Sequence, residues 1–183
     1  MFPLAKKERA ISLSWEKEMK KIRLAKKSDL ATLMGIFAHA REYMASKGNA
    51  RQWGRALWPH QDVIEEDILG GKSYVVEEEG NIIGTFYLDY GENPEPCYLK
   101  ILGEGWKKGT PYAVIHRIAS SEEGQGILKM AVEFALTKAK CVRIDTHEDN
   151  AVMIHLLKKL GFVCRGIIHV GHDDDDGRLA FEL

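Results

Sequence analysis

Apolar residues recur along this chain at two periods, and the changes between them mark its elements. Residues 21–25, Lys-Ile-Arg-Leu-Ala, alternate and read as a strand. Ser28 is a good N-cap, and Leu30, Leu33, Met34, Phe37 and Met44 follow it at helical spacing until Gly48. A loop with Trp53, Trp58 and Pro59 leads to a second helix over 61–69, which Gly70-Gly71 stops. Residues 73–78 and 82–90 are rich in β-branched and aromatic side chains, and the Glu79-Gly80-Asn81 turn joins them into a hairpin. Three prolines and three glycines make 93–111 a loop, with one short element near 98–102.

The C-terminal half alternates more cleanly. A strand over 112–120 passes through Gly124-Gln125-Gly126 into a helix reaching about Lys138, and 141–146 is the next strand. Asn150 caps a helix whose Met153, Leu156, Leu157 and Leu160 form one apolar stripe. Gly161 follows its end, and Lys158 and Lys159 complement the negative pole of its dipole. Residues 162–170 and 178–183 close the chain as two strands. The order β α α β β β α β α β β predicts one mixed α/β layered domain over 21–183, after an extension over 1–20. Leu4, Ile11, Trp15 and Met19 fit a short amphipathic helix in that extension, and Met19 also reads as an alternative start.

Composition narrows the class. The 183 residues are 45% hydrophobic and 29% charged, with a net charge of −1, which excludes disorder and collagen-like sequence. No apolar run approaches the ~18 residues of a membrane span, and the N-terminus lacks the apolar core of a signal peptide. Cys97, Cys141 and Cys164 are odd in number and widely spaced, so they make neither a disulfide framework nor a metal knuckle. A cytoplasmic location is the expectation. Residues 1–27 carry nine Lys and Arg against three Glu. A nucleic-acid arm would show as salt-sensitive binding lost on removing 1–18, but no basic patch matches it elsewhere, so a solvated extension is expected. Four consecutive aspartates, 173–176, lack the alternating ligands of a calcium loop and read as an exposed turn.

The chemistry is concentrated at Glu123-Gly124-Gln125-Gly126, where a strand enters a helix. Unpaired main-chain N–H groups at a helix start attract phosphate, and glycine lets the backbone come close. The third glycine of a dinucleotide fingerprint and the Gly-Lys-Ser/Thr of a P-loop are both missing. Asn150, Met153, Leu157, Gly161 and Phe162 follow a strand ending Ile144-Asp145-Thr146. In combination, from Lys21 to Leu183, this order resembles the GNAT superfamily of N-acetyltransferases.

That resemblance implies a mostly antiparallel central sheet with helices on both faces and a splayed strand pair forming an acyl-CoA cleft. It implies acetyl-CoA as cosubstrate, with no metal, and transfer to a primary amine by direct attack. Ile118, Ala119 and Ser120 would pair with the pantetheine arm. Amides from Gly124, Gln125, Gly126, Ile127 and Leu128 would cradle the diphosphate, with Asn150 also on the cofactor side. A strand N–H would stabilise the oxyanion. His116, Asp145 and His147 are the candidates for taking the amine's proton, and Glu104 is a weaker one. Trp53, Trp58, Trp106 and Tyr112 either wall the acceptor pocket or anchor long loops.

Four positions depart from the family pattern. Glu123 replaces Arg or Gln, Leu128 replaces Gly or Ala, Met153 replaces a small residue, and Leu157 replaces the tyrosine that protonates the leaving thiolate in many members. These departures keep open a GNAT-fold module that binds acyl-CoA or a partner without turnover. The expected partners are a small-molecule or peptide amine and, from the resemblance, a second copy of the chain; neither nucleic acid nor membrane is expected.

Overall fold

Turn chemistry and apolar faces together account for the architecture. The structure, a computed structural model, describes residues 20–54, 56–171 and 177–183. The expected N-terminal helix apart from Lys20, the alternative start at Met19 and the aspartate turn lie outside the described residues.

The elements are β1 (Lys21–Leu24), α1 (Leu30–Ser46), α2 (Gln61–Leu69), β2 (Ser73–Glu78), β3 (Asn81–Gly91), β4 (Leu102–Gly103), β5 (Tyr112–Ser120), α3 (Ile127–Leu136), β6 (Val142–Thr146), α4 (Ala151–Lys159), β7 (Val163–His169) and β8 (Gly177–Glu182). They form an eight-stranded sheet in the order β1-β2-β3-β5-β6-β8-β7-β4. Every neighbouring pair is antiparallel except β5 and β6, which the helical crossover through α3 makes parallel.

Local signals explain most boundaries. Glu79 and Gly80 both take positive φ, +50° and +83°, so a two-residue turn closes the β2–β3 hairpin. At the end of α4, Phe162 N–H donates to Leu157 O and Gly161 N–H to Lys158 O, with Gly161 at φ +91°. This is the Schellman arrangement that stops a helix. At α1 the expected cap is displaced. Ser28 lies inside a 3-10 turn, Lys27–Asp29, and the helix starts after Asp29. The reason is electrostatic, because the Asp29 carboxylate accepts the Lys26 N–H and both terminal nitrogens of Arg23. The loop over 93–111 contains a 3-10 turn, Pro96–Leu99, and the two-residue β4, which pairs with β7.

Helices cover both faces. On one, Ile127, Leu128, Ala131, Val132 and Ala135 of α3 and Leu157 of α4 pack on β3, β5 and β6. On the other, Leu33, Ile36 and Phe37 of α1 join Ile64 of α2. Each such burial contributes about 1.5–3 kcal/mol for a Leu, Ile or Phe side chain. A third cluster holds the loop after β3, with Tyr98 and Tyr112 packed beside Val114, Ile168 and Ala180. Among the described residues, no helix is long and apolar enough to cross a membrane.

Candidate active site

The sheet opens where its parallel pair stops. β5 and β6 are in register at Ala113↔Val142 and Val114↔Arg143, and beyond these pairs the strands separate. A cleft of ≈ 1400 Å³ occupies the gap, with Ile115 to Ser120 on one wall and Ile144 to Thr146 on the other. Main-chain groups of β5 beyond Val114 that point towards β6 therefore face the cleft.

His116 lies at the parting point and meets two carboxylates. Its Nε2 is 2.9 Å from Glu95 Oε2, and its Nδ1 is 3.4 Å from Asp145 Oδ1. Glu95 caps the Pro96–Leu99 3-10 turn, which carries Tyr98, and accepts the Cys97 N–H. Burial pushes the Glu95 carboxyl upwards, but the His116 hydrogen bond and charge, with the Cys97 N–H, hold it down at about 2. Tyr98, fully buried, donates its hydroxyl to Asp145 Oδ1 at 2.7 Å. Burial, reinforced by the Asp145 charge, pushes the Tyr98 hydroxyl well above its ordinary range, so it remains a donor. Burial likewise raises the Cys97 thiol, with the Glu95 carboxylate adding to the effect. Although Cys97 lines the cleft, it is a neutral thiol rather than a nucleophilic thiolate.

The glycine turn forms the far end. A Cβ at Gly124 would collide with the Ile83 carbonyl oxygen, so this position needs glycine to pack the turn against β3. Gly126 is the α3 N-cap at φ +75°, and a Cβ there meets nothing within 4 Å. The first α3 bond runs from Met130 N–H to Gly126 O. The N–H groups of Gly126, Ile127, Leu128 and Lys129 consequently lack acceptors within the helix. Gly124, Gly126, Ile127 and Leu128 line the cleft, and the last two bury their side chains in the core. The Leu128 side chain is 8% exposed and belongs to the core cluster beneath α3. Glu123 faces the β2–β3 hairpin beside Glu78, Glu79 and Asn81 and stays out of the cleft.

Not every expected residue reaches this site. Gln125 is outside the cleft lining; its carbonyl accepts from Lys20 Nζ at 2.8 Å. His147 is also outside the lining and 7% exposed, and its Nδ1 accepts the Asp149 N–H at 3.0 Å. Burial lowers the His147 pKa, assisted by the Arg178 charge. Asn150 lines the cleft, but its side chain is engaged: Oδ1 accepts the Met153 N–H and Nδ2 donates to Gln52 Oε1. Met153 lines the cleft and packs on the core, whereas Leu157 is fully buried. Glu104 is an exposed partner of Arg165 and Lys107, away from the cleft.

The aromatic candidates divide by role. Trp53 and Trp58 line the cleft, and Trp53 also meets Phe37 edge-on at 5.8 Å. Trp106 and Tyr112 instead stack on the Arg143 guanidinium, at 4.3 and 4.0 Å. Arg143 pairs with the fully buried Glu182, which also accepts the Lys107 and Lys108 N–H groups and Arg165. That network fixes the loop before β5.

Sequence reasoning missed Glu95 and Tyr98, the two groups that complete the cluster. One signal was available: Glu95 followed by Pro96 has the form of a capping side chain before proline at the first position of a turn. Nothing local indicated that this carboxylate would meet a histidine 21 residues away.

Comparison with known proteins places these features in context. Residues 38–162 match the sequence profile of the acetyltransferase (GNAT) family. An acetyltransferase of the GNAT family from Streptococcus agalactiae 2603 has 30% identity and a TM-score of 0.77, over 89% of this chain and 94% of that one. A second GNAT-family acetyltransferase, from Listeria monocytogenes 4b F2365, has 19% identity and a TM-score of 0.63, over 90% and 94%. The PaiA N-acetyltransferase of Thermoplasma acidophilum, solved in complex with coenzyme A, has 16% identity and a TM-score of 0.57, over 90% and 98%. At those lower identities the likeness is one of fold. No curated protein matches the chain.

Proposed function

The chain belongs to the acetyltransferase (GNAT) family, and from that premise we propose that it moves an acetyl group from acetyl-CoA to a primary amine by direct attack. One observation carries the reading: β5 and β6 part after two paired positions, with His116, Glu95 and Asp145 at the fork and unbonded helix-start amides at the far end. The coenzyme A bound to the Thermoplasma relative supports the choice of donor. So does the open space at Gly126, where a diphosphate can approach main-chain donors without meeting a side chain.

In this reading the pantetheine arm extends along Ile118 to Ser120 and places the thioester at the fork. A β5 N–H facing the gap donates to the carbonyl oxygen and stabilises the oxyanion that forms on attack. The amine arrives as a cation, attracted by the Glu95 and Asp145 carboxylates, and must lose a proton first. The His116 imidazole takes it on Nδ1 while its Nε2–H donates to Glu95 Oε2 at 2.9 Å. Asp145, held by Tyr98 and 3.4 Å from that Nδ1, stabilises the imidazolium so formed. The amine nitrogen then bonds to the acetyl carbon and gives up its second proton to solvent, the carbon–sulfur bond breaks, and coenzyme A leaves as thiolate. A CoA thiol has a pKa of about 8.5 by analogy with cysteine, so solvent can protonate it.

The buried Leu157 favours one other reading, an acyl-CoA-binding module with weak turnover, because that position offers no acid to the cleft. Thiol release measured across an amine panel separates the two. The proposal expects acetyl-CoA-dependent release with at least one small or peptide amine; tight acetyl-CoA binding with no release across a broad panel supports the module. A cytoplasmic location and a homodimer belong to this proposal as well. Cell fractionation and sedimentation test them.

A further inference from the structure

Arg117, next to the proposed proton acceptor, has a backbone that disfavours arginine. Its φ is +48°, the left-handed region that glycine occupies readily and a residue with a Cβ avoids. Pairing between β3 and β5 shows why the chain adopts it. Thr85 pairs with Ala119 and Tyr87 with His116, so one residue of β3 faces two of β5. Arg117 and Ile118 form a bulge. The alternation of β5 changes there: Ile115 and Ile118 pack with the α3 side of the sheet, while His116 meets Glu95 and Ala119 packs with α1 and α2. In a regular strand, residues 116 and 119 would lie on opposite faces.

The extra residue is held by its own side chain. Arg117 Nε donates to Asp67 Oδ2 at 2.7 Å and its Nη2 to Oδ1 at 2.8 Å, a forked pair reaching α2. The guanidinium carbon is 4.3 Å from the centre of the ring of Tyr87, the residue that pairs with His116 beside the bulge. Both members of the pair are largely buried, at 17% and 11% side-chain exposure. A glycine could adopt this dihedral but could not anchor it. Arginine at an unfavourable φ therefore marks a position where the anchor outweighs the strain.

We propose that Arg117 is a positioning residue that, through Asp67 and Tyr87, locks the β5 bulge so that His116 faces Glu95 and Asp145 while Ile118 to Ser120 remain along the cleft. The inference rests on the proposed transferase reading for its catalytic consequence, but its structural part can be tested without turnover. Two variants serve. Arg117→Gly permits the dihedral and removes the fork. Arg117→Met combined with Asp67→Asn removes both charges and leaves no buried carboxylate unpaired.

In each folded variant two NMR readouts apply: the long-range proton–nitrogen spectrum of the His116 ring, and amide exchange at Tyr87 and Ala119, which bracket the bulge. The expected result is a changed His116 signature with faster exchange at both amides, while the His147 signature is retained. Where the wild type turns over, kcat falls roughly tenfold to a hundredfold with a smaller change in acetyl-CoA affinity. An unchanged His116 signature and unchanged exchange in either folded variant overturn the proposal, whatever the turnover. If both readouts change but the wild type releases no thiol with any amine, the transferase reading falls and the clamp stands.

Discussion

Replacing Gly126 with glutamate places a carboxylate where the account puts a diphosphate. The stability cost is small. Gly126 is at φ +75°, so any other residue is strained by about 1 kcal/mol, and the added side chain meets no atom within 4 Å of its Cβ. That corresponds to a fall in Tm of about 2–4 °C for a chain of this size. The effect on binding is larger. A unit charge about 5 Å from a doubly charged diphosphate, in surroundings almost as polar as water, is repelled by about 2 kcal/mol. Affinity for coenzyme A falls about 30-fold. Isothermal titration of Gly126→Glu and Gly126→Gln separates charge from bulk, since both variants share the backbone strain. Glutamate should weaken binding well beyond glutamine, and the gap should narrow as salt is raised. Equal affinities in two folded variants would refute the location of the diphosphate.

Three further outcomes follow from the same geometry. His116→Ala should lower kcat by about 10²–10⁴-fold with less effect on acetyl-CoA affinity; full turnover near neutral pH removes His116 from the mechanism. His147 has a depressed folded pKa, so its contribution to stability is present above the unfolded value of about 6.5 and is lost as pH falls below it. His147→Asn, which retains an acceptor for the Asp149 N–H, should flatten the decline in melting temperature between about pH 7 and pH 5, and an unaltered slope would assign that decline to other groups. Glu182→Ala should destabilise the fold by about 3–5 kcal/mol, because it strands the buried Arg143 guanidinium between Tyr112 and Trp106. Urea unfolding measures this, and a loss below about 1 kcal/mol contradicts the anchoring role.

How far the sequence disclosed this molecule depended on the range of the interaction. Asn150 signals its role locally, since a cap bonds to an N–H three residues away, and it does so with Met153. The Glu79-Gly80 turn and the Gly161 stop are equally local, as is the apolar stripe of α4, which puts Leu157 in the core with Met153 and Leu160 against it. Ser28 failed as a cap because Asp29 is drawn to Arg23 of the preceding strand, a contact outside any helix rule. The site shows the same division. The glycine turn and the strands beside it are contiguous in sequence, whereas the His116 cluster is assembled from three separate segments. His147 and His116 look alike in sequence. Their difference comes from the divergence of β5 and β6, which leaves one at the cleft and buries the other against Asp149. The β5 bulge had no signature at all, because arginine is not the residue expected at positive φ.

A crystal structure of the protein with coenzyme A bound tests the central claim most directly. The pantetheine arm should lie between β5 and β6 alongside Ile118 to Ser120, with the diphosphate on the amides of Gly126 to Lys129 and the sulfur directed towards His116. A closed gap between the two strands, or a coenzyme seated elsewhere on the surface, would contradict it.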